Sequence, residues 1–430
     1  MSSARPNGEG AVRRAPRIVL SHTHDQGVAY RAAMACQNLG LDFRLLTWLY
    51  YRPERLPYSL LPLLPRPLAG PLGAKLARRR LEGLDDASVL SLDLPLVELS
   101  MRLTGNDRFA GMLHDRRVRN WLRRHAREEG WTIFHGFIGR CLLSLAAAKA
   151  LGLATLLEIT APPTALRAIA EEKKREGVAP GYPLAADEGH QLAELREAEY
   201  FVAQSPFVVS ELRRFGIPGE RIFLAPLGVD LERFAPGGPR PAERPFRVLF
   251  VGNVGVHKGL HHLLRAWARL ALPGAELFVV GQEVDAPVMA ELRRTPHTRW
   301  LGRLPPRELP ALYRDSDLFV CPSLSEGGPL VVLEALASGL PVVASKNASS
   351  VLRDGEEGFI VPVGDVAALA ERLRRLHDDR SLRARMAASA RERALGFDWR
   401  ARERRIGLVY RQLLEGRAAA QGECIDLTAL

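Results

Sequence analysis

Two hydrophobic periods alternate along the 430-residue chain. Short unbroken apolar runs, the pattern of strands buried on both faces of a parallel sheet, give way to longer stretches in which apolar positions recur with helical spacing. The first half predicts strands at Arg17–Ser21, Phe43–Thr47, Ile133–His135, Ala154–Ile159, Tyr200–Ala203 and Ile222–Pro226. The second predicts them at Arg247–Val251, Glu276–Val280, Thr298–Leu301, Leu318–Cys321, Pro341–Ala344 and Phe359–Val361. Between the two series lies the segment 234–241, Phe-Ala-Pro-Gly-Gly-Pro-Arg-Pro, whose proline and glycine content marks a linker. Strands alternating with helices on both sides of it predict an α/β protein of two Rossmann-like, doubly wound domains with a cleft between them. The expected boundaries are a basic tail over 1–16, an N-terminal domain over 17–235, a linker over 236–245 and a C-terminal domain over 246–395. Residues 396–430 follow, and their amphipathic, Arg-rich stretch Trp399–Leu414 is expected to pack back across the cleft.

Composition narrows the function classes. No window approaches the ~18–20 apolar residues of a membrane span. Residues 1–16 lack the apolar core of a signal peptide, so they are read as a disordered tail and the protein as cytoplasmic. Cys36, Cys141, Cys321 and Cys424 are isolated, with no Cys-x-x-Cys pair, which argues against a disulfide framework and a zinc knuckle. The formal charge of +11 fits nucleic acid, an anionic membrane surface or phosphate-bearing substrates. No nucleic-acid-binding module accompanies it, so nucleic acid is set aside. The insert 48–80 carries Trp48, Tyr50, Tyr51, Tyr58, many leucines and prolines, and then Lys75, Arg78, Arg79 and Arg80. Two readings stand for it: contact with the inner face of a membrane or an acceptor-binding lid, and a Pro-rich surface loop.

The chemistry-bearing residues gather at predicted strand ends. Glu326 falls in the loop after the Leu318–Cys321 strand, and Glu334 one turn inside a helix that begins near Pro329 and Leu330. Both carboxylates then face the carboxyl end of a sheet, where open α/β folds bind ligands. A carboxylate accepts two hydroxyls, and a helix N-terminus offers free N–H groups to a phosphate, so the pair suits a sugar nucleotide. Val251-Gly252-Asn253-Val254-Gly255-Val256-His257-Lys258-Gly259 follows a strand and precedes a helix. Its glycines allow close approach to a phosphate and Lys258 adds a point charge. It is neither a Rossmann Gly-x-Gly-x-x-Gly nor a P-loop, which disfavours a dehydrogenase or an NTPase. His257, His261 and His262 lack the Glu of a His-Glu-x-x-His zinc motif and are read as a solvated helix start. His22, His24 and Asp25 directly follow the first strand and so face the expected cleft, and His135 ends a later strand. Acceptor binding and loop capping are both open for them.

The ordered set of segments resembles the retaining glycosyltransferases of family 4, which have the GT-B fold. Ala203-Gln204-Ser205, Pro226-Leu227-Gly228-Val229-Asp230 and Phe234 match the family's segments before the linker. Val251–Gly259, Val280-Gly281, Leu301-Gly302, Pro322–Glu334, Gly339–Ala344 and Asp354–Phe359 follow in family order. The resemblance implies a nucleoside-diphosphate sugar held mainly by the C-terminal domain, and a saccharide or lipid-linked acceptor held by the N-terminal one. It implies that Glu326 holds donor sugar hydroxyls, Glu334 the ribose and Lys258 the diphosphate, with support from Asn253 and the backbone at Gly328 and Leu330. It further implies no metal or other cofactor, retention at the anomeric carbon, and the leaving phosphate itself taking the acceptor proton.

Three positions depart from the family pattern. Asn253 stands where many members have Arg, and Pro329 removes one N–H donor. Leu157-Glu158-Ile159-Thr160 stands where many carry a His, so Glu158 or His135 is expected to take that catalytic place. Two alternatives remain at this stage: a non-catalytic sugar-nucleotide-binding scaffold, and another GT-B enzyme such as an inverting transferase or a sugar-nucleotide epimerase.

Overall fold

One doubly wound order is used twice. The structure, a computed structural model, describes residues 16–22, 27–54, 58–63, 70, 73, 76, 79–92, 107–179, 184–238, 244–415 and 423–428. The first series runs β1 (Arg17–His22), α1 (Val28–Asn38), β2 (Asp42–Thr47), β3 (Val89–Ser91), α2 (Asp107–His125), β4 (Ile133–Phe137), α3 (Leu142–Ala150) and β5 (Ala154–Ile159). It continues through α4 (Thr164–Arg175), α5 (Leu184–Glu197), β6 (Tyr200–Ala203), α6 (Pro206–Arg214) and β7 (Ile222–Leu224). The second runs β8 (Phe246–Val251), α7 (Leu260–Leu270), β9 (Ala275–Val280), α8 (Ala286–Arg294), β10 (Thr298–Trp300), α9 (Leu309–Arg314) and β11 (Leu318–Cys321). After it come α10 (Leu330–Ala337), β12 (Val342–Ser345), β13 (Gly358–Val361), α11 (Val366–Asp378), α12 (Arg380–Leu395), α13 (Trp399–Glu415) and β14 (Ile425–Asp426).

The sheets read β14-β7-β6-β5-β4-β1-β2-β3 and β10-β9-β8-β11-β12-β13, with parallel pairing throughout. Each reverses its winding once, between β1 and β4 and between β8 and β11. Strands split into two-residue periods as a doubly covered sheet requires. Val248 and Phe250 of β8 enter the core on one face, while Leu249 enters the core on the other. Helix starts are fixed locally: Ser205 caps α6 ahead of Pro206, Asp365 caps α11 and Asp379 caps α12.

Two elements hold the halves together. Ile406, Val409 and Tyr410 of α13 are buried in the first domain's core beside Ala29, Tyr30 and Ala33 of α1. Burying three such side chains contributes on the order of 5 kcal/mol. The approach is close, since a Cβ on Gly407 would meet Leu39 Cδ1 at 2.3 Å. From the other side, α4 and the residues just after it reach the second domain. Lys173 pairs with Asp285 at 3.1 Å, and Glu176 accepts two bonds from Arg265 at 2.6 and 2.9 Å. Glu172 Oε1 lies 3.2 Å from His261 Nε2 and 3.0 Å from His262 Nε2. The reading of these histidines as a solvated helix start is therefore corrected: both are buried at the domain boundary.

The described part of the insert is packed, not free. Trp48 and Tyr50 are buried, Arg79 lies over the Trp48 ring, and Arg80 pairs with Asp86 at 3.1 Å. Leu60 and Leu63 are exposed. Lys75 and Arg78 lie outside the described residues, as do His24, Asp25 and the tail through residue 15.

Candidate donor and acceptor sites at the facing sheet edges

The winding reversal between β8 and β11 opens a crevice at their carboxyl ends, and the loop after each strand supplies one half of a charge pair. Lys258 Nζ donates to Glu326 Oε1 at 2.6 Å. Burial pulls the Lys258 ammonium down, but the Glu326 charge and hydrogen bond outweigh it, and the net effect is upward. The loops are fastened to each other: Leu324 N donates to His257 O at 3.0 Å, and His257 Nε2 lies 2.9 Å from Ser325 O. From beyond β12, Asn347 donates to Leu324 O at 2.9 Å and accepts from Glu326 N at 3.1 Å through its own carbonyl. Gly259 has φ +66°, and a Cβ there would sit 2.0 Å from Pro322 O, so only glycine lets the two loops meet.

Glu334 sits in α10, half-buried, and accepts from the Tyr313 hydroxyl at 3.0 Å. Burial pushes its carboxyl up to about 7, against the opposing effects of that hydrogen bond and of Arg233. A carboxyl raised this way costs stability once pH exceeds its unfolded value, and the cost is complete above the folded one. Glu334→Gln is therefore expected to stabilise the ligand-free protein by up to about 3 kcal/mol at pH 8 and by little near pH 5. Melting temperatures of the two proteins across that range measure it, and a gap independent of pH would contradict it.

Beside these residues, Val251, Gly252, Asn253, Gly281, Gln282 and Arg303 line a cavity of about 270 Å³ at the ends of β8 and β9. Asn253 is exposed on its rim. Gln282, Arg303 and Tyr313 were not singled out by sequence reasoning, because nothing in their local pattern separates them from ordinary surface or core positions.

The two domains touch at the Glu326 loop. A Cβ on Gly327 would lie 2.0 Å from Thr160 O, and one on Gly328 would lie 2.8 Å from Gln204 Cβ. Gly328 thus abuts the first domain, while Leu330 opens α10 half-buried. Pro329 precedes it in extended conformation (φ −68°, ψ 105°), where its lack of an N–H leaves the helix intact.

The first domain's reversal, between β1 and β4, brings His22 beside Phe137, with ring centroids 5.0 Å apart. His135 and Glu158 do not reach the cleft, and their assignment as catalytic groups is corrected. Both are fully buried. Arg402 of α13 pairs with Glu158 Oε1 at 2.6 Å, and Gln204 donates to the same oxygen at 2.7 Å. His135 Nε2 lies 3.4 Å from Glu158 Oε2, and its Nδ1 lies 2.8 Å from the Tyr410 hydroxyl. These residues fasten α13 to the first sheet.

Glu172, His261 and His262 form the one group among the described residues with metal-ligand atoms all within 4.8 Å. Arg175 bonds the same Glu172 carboxylate at 2.8 Å, so positive charge already occupies its second oxygen.

Residues 235–393 match the family described as Glycosyl transferases group 1. The D-inositol 3-phosphate glycosyltransferase of Nocardia farcinica is 34% identical over 259 residues, covering 54% of this chain and 56% of that protein. The chain spans about half the length of the curated relatives it matches. Among solved structures, sucrose-phosphate synthase from Thermosynechococcus elongatus superposes with TM-score 0.65 at 20% identity, over 94% of this chain and 100% of that one. Anabaena HepE in complex with UDP-glucose superposes with TM-score 0.62 at 14% identity, over 92% and 99%. The likeness to the group 1 glycosyltransferases lies in the second domain, and the two-domain architecture is the GT-B fold.

Proposed function

We propose that this protein moves a glycosyl group from a nucleoside-diphosphate sugar to a hydroxyl of a saccharide or lipid-linked acceptor, with retention at the anomeric carbon and without a metal. The observation that carries the reading is the Lys258–Glu326 pair at the β8/β11 reversal, with Glu334 one turn inside the helix that follows the Glu326 loop. Departure of the nucleoside diphosphate is the step that develops charge. A cation held in a fixed position, with the free N–H groups at the start of α10, stabilises that charge without reorganisation. Glu326 accepts hydroxyls of the donor sugar and Glu334 those of the ribose. The base enters the cavity rimmed by Gln282 and Arg303. The leaving phosphate takes the acceptor proton, so the reading calls on no buried carboxylate such as Glu158.

The acceptor approaches from the edge of the first sheet marked by His22. Polysaccharide or glycolipid assembly at the inner face of a membrane fits the exposed Leu60 and Leu63 of the insert. No helix among the described residues is long and apolar enough to cross a membrane.

Ligand-induced melting shifts with UDP, GDP and ADP and their sugar conjugates test the donor assignment, since a ligand that binds only the native state stabilises it in proportion to RT ln(1 + [L]/Kd). One nucleotide is expected to shift the wild type and to lose most of its effect in Lys258→Ala. Absence of a shift with all three nucleotides would count against the transferase reading.

A further inference from the structure

A second cavity lies at the opposite edge of the second sheet from the Lys258–Glu326 pair. It measures about 350 Å³ and is lined by Arg244, Phe246, Asp317, Pro341, Arg380 and Arg383, among others. Phe246 begins β8 and Asp317 precedes β11, whereas Lys258 and Glu326 follow those strands. The length of β8 separates the two places by roughly 15–20 Å.

Three guanidinium groups line this cavity against one lining carboxylate, Asp317, which is paired with Arg244 and leaves Arg380 and Arg383 without an acidic partner among the described residues. Asp317 Oδ1 accepts from Arg244 at 2.6 Å, and its Oδ2 accepts from Arg247 N at 2.9 Å. Asp379 accepts from Leu382 N at 2.8 Å as the cap of α12. Arg383 is held over the Phe246 ring, 5.0 Å from its centroid, and donates to the carbonyls of Leu376 and His377. Burial lowers its affinity for the proton; Asp317 opposes that, and Arg380 and Arg244 reinforce it. Arg380, in the first turn of α12, makes no hydrogen bond or ion pair to any of the described residues and is exposed at the rim. Like charges gathered around a concavity repel one another, and an anion seated among them reverses the sign of that contribution. Guanidinium forks match phosphate oxygens in pairs, and the volume exceeds what a bare phosphate fills.

We propose that this cavity is a second ligand site, distinct from the donor site, that binds a small phosphate-bearing molecule of the size of a hexose phosphate. Its position gives such a ligand leverage on both chain crossings. Arg244 ends the linker, Pro236 at the linker's start lies against Gly339 on the cavity wall, and α12 leads directly into α13. Arg391 of α12 also donates to the carbonyls of Leu231 and Phe234 just before the linker, the latter at 3.0 Å. The proposal does not depend on the transferase reading.

Calorimetric titration of the full chain carrying Lys258→Ala, which removes the donor site's own cation, tests it with glucose 6-phosphate and inorganic phosphate as separate probes. One site for glucose 6-phosphate is expected, weakened tenfold or more when Arg380→Gln is added and weakened again by salt. Arg380 bonds to no neighbour among the described residues, so circular dichroism of that variant should match its parent. Equal affinity for inorganic phosphate would assign the cavity to the phosphate group alone. Failure of both probes to bind at millimolar concentration, or an affinity unchanged by Arg380→Gln, overturns the assignment.

Discussion

Glu326→Ala is expected to lower the transfer rate by ~10²–10³-fold, with most of the loss in kcat, because it removes a fixed charged group from the place where charge is redistributed in the transition state. Two effects combine. The donor sugar loses the carboxylate that accepts its hydroxyls. Lys258 loses the partner that holds its ammonium in register, since that 2.6 Å contact is its one ion pair among the described residues. The sequence places Glu326 in an open loop, but its side chain is only 13% exposed. Stability should nevertheless fall by only about 1 kcal/mol, because Lys258 is 27% exposed and water can solvate it once unpaired. Glu326→Gln keeps the shape and one hydroxyl acceptor but not the charge, so its rate should lie between those of the wild type and Glu326→Ala. Steady-state rates with the nucleotide sugar found by melting shifts give the answer. An Ala variant that turns over at the wild-type rate would remove Glu326 from the donor site.

The sequence discloses these two residues because their roles follow from local context: a buried strand, then a loop, then a helix, with the charged group near the turn. Lys258 follows β8 and Glu326 follows β11, and the repeated doubly wound order puts those two loops side by side. The same logic recovers the long buried strands. It misses β3 and β14, which have three and two residues and owe their pairing to neighbours β2 and β7 rather than to a pattern of their own. It also runs the Ile222 strand on to Pro226, where the structure ends β7 at Leu224. Proline lacks the N–H that a further ladder bond needs.

Residues whose partners are remote in sequence could not be read. Glu158 looks like a strand-end carboxylate facing a cleft until Arg402, 244 positions later, is found on it. His261 and His262 look solvated until Glu172, about 90 positions earlier, is found between them. Tyr313 is an ordinary helical aromatic until α10 brings Glu334 to its hydroxyl. In the first two cases the missing information is which helix crosses from one domain to the other, and in the third it is which two helices of the second domain pack together. Crossing helices are chosen by tertiary packing, here by the small residues of α1 that admit α13.

Arg402→Ala should therefore be among the most destabilising single changes in the protein, at about 3–5 kcal/mol, because it leaves the Glu158 carboxylate buried and without its counter-charge. Arg402 and Glu158 are 3% and 0% exposed, so water cannot replace the lost partner. Arg402 also donates to Ala225 O, and that carbonyl would lose its donor as well. Burial pushes the Glu158 carboxyl up, but Arg402 and His135 bring it below its ordinary value. A carboxyl lowered by folding adds stability that is complete above its unfolded value near 4.5 and is lost as pH falls through the folded one. The wild type should accordingly loosen at α13 in acid below that value, and the Arg402 variant should already be loose at neutral pH. Replacing both partners with apolar residues, Glu158→Leu with Arg402→Met, removes the stranded charge and should recover much of the loss. Chemical denaturation reads the energies, and hydrogen exchange over residues 399–415 reads the detachment of α13 from α1. Equal stability and equal exchange in wild type and Arg402→Ala would show that the helix is held by its apolar face alone. A double variant as unstable as the sum of the two singles would show that the pair contributes no coupling.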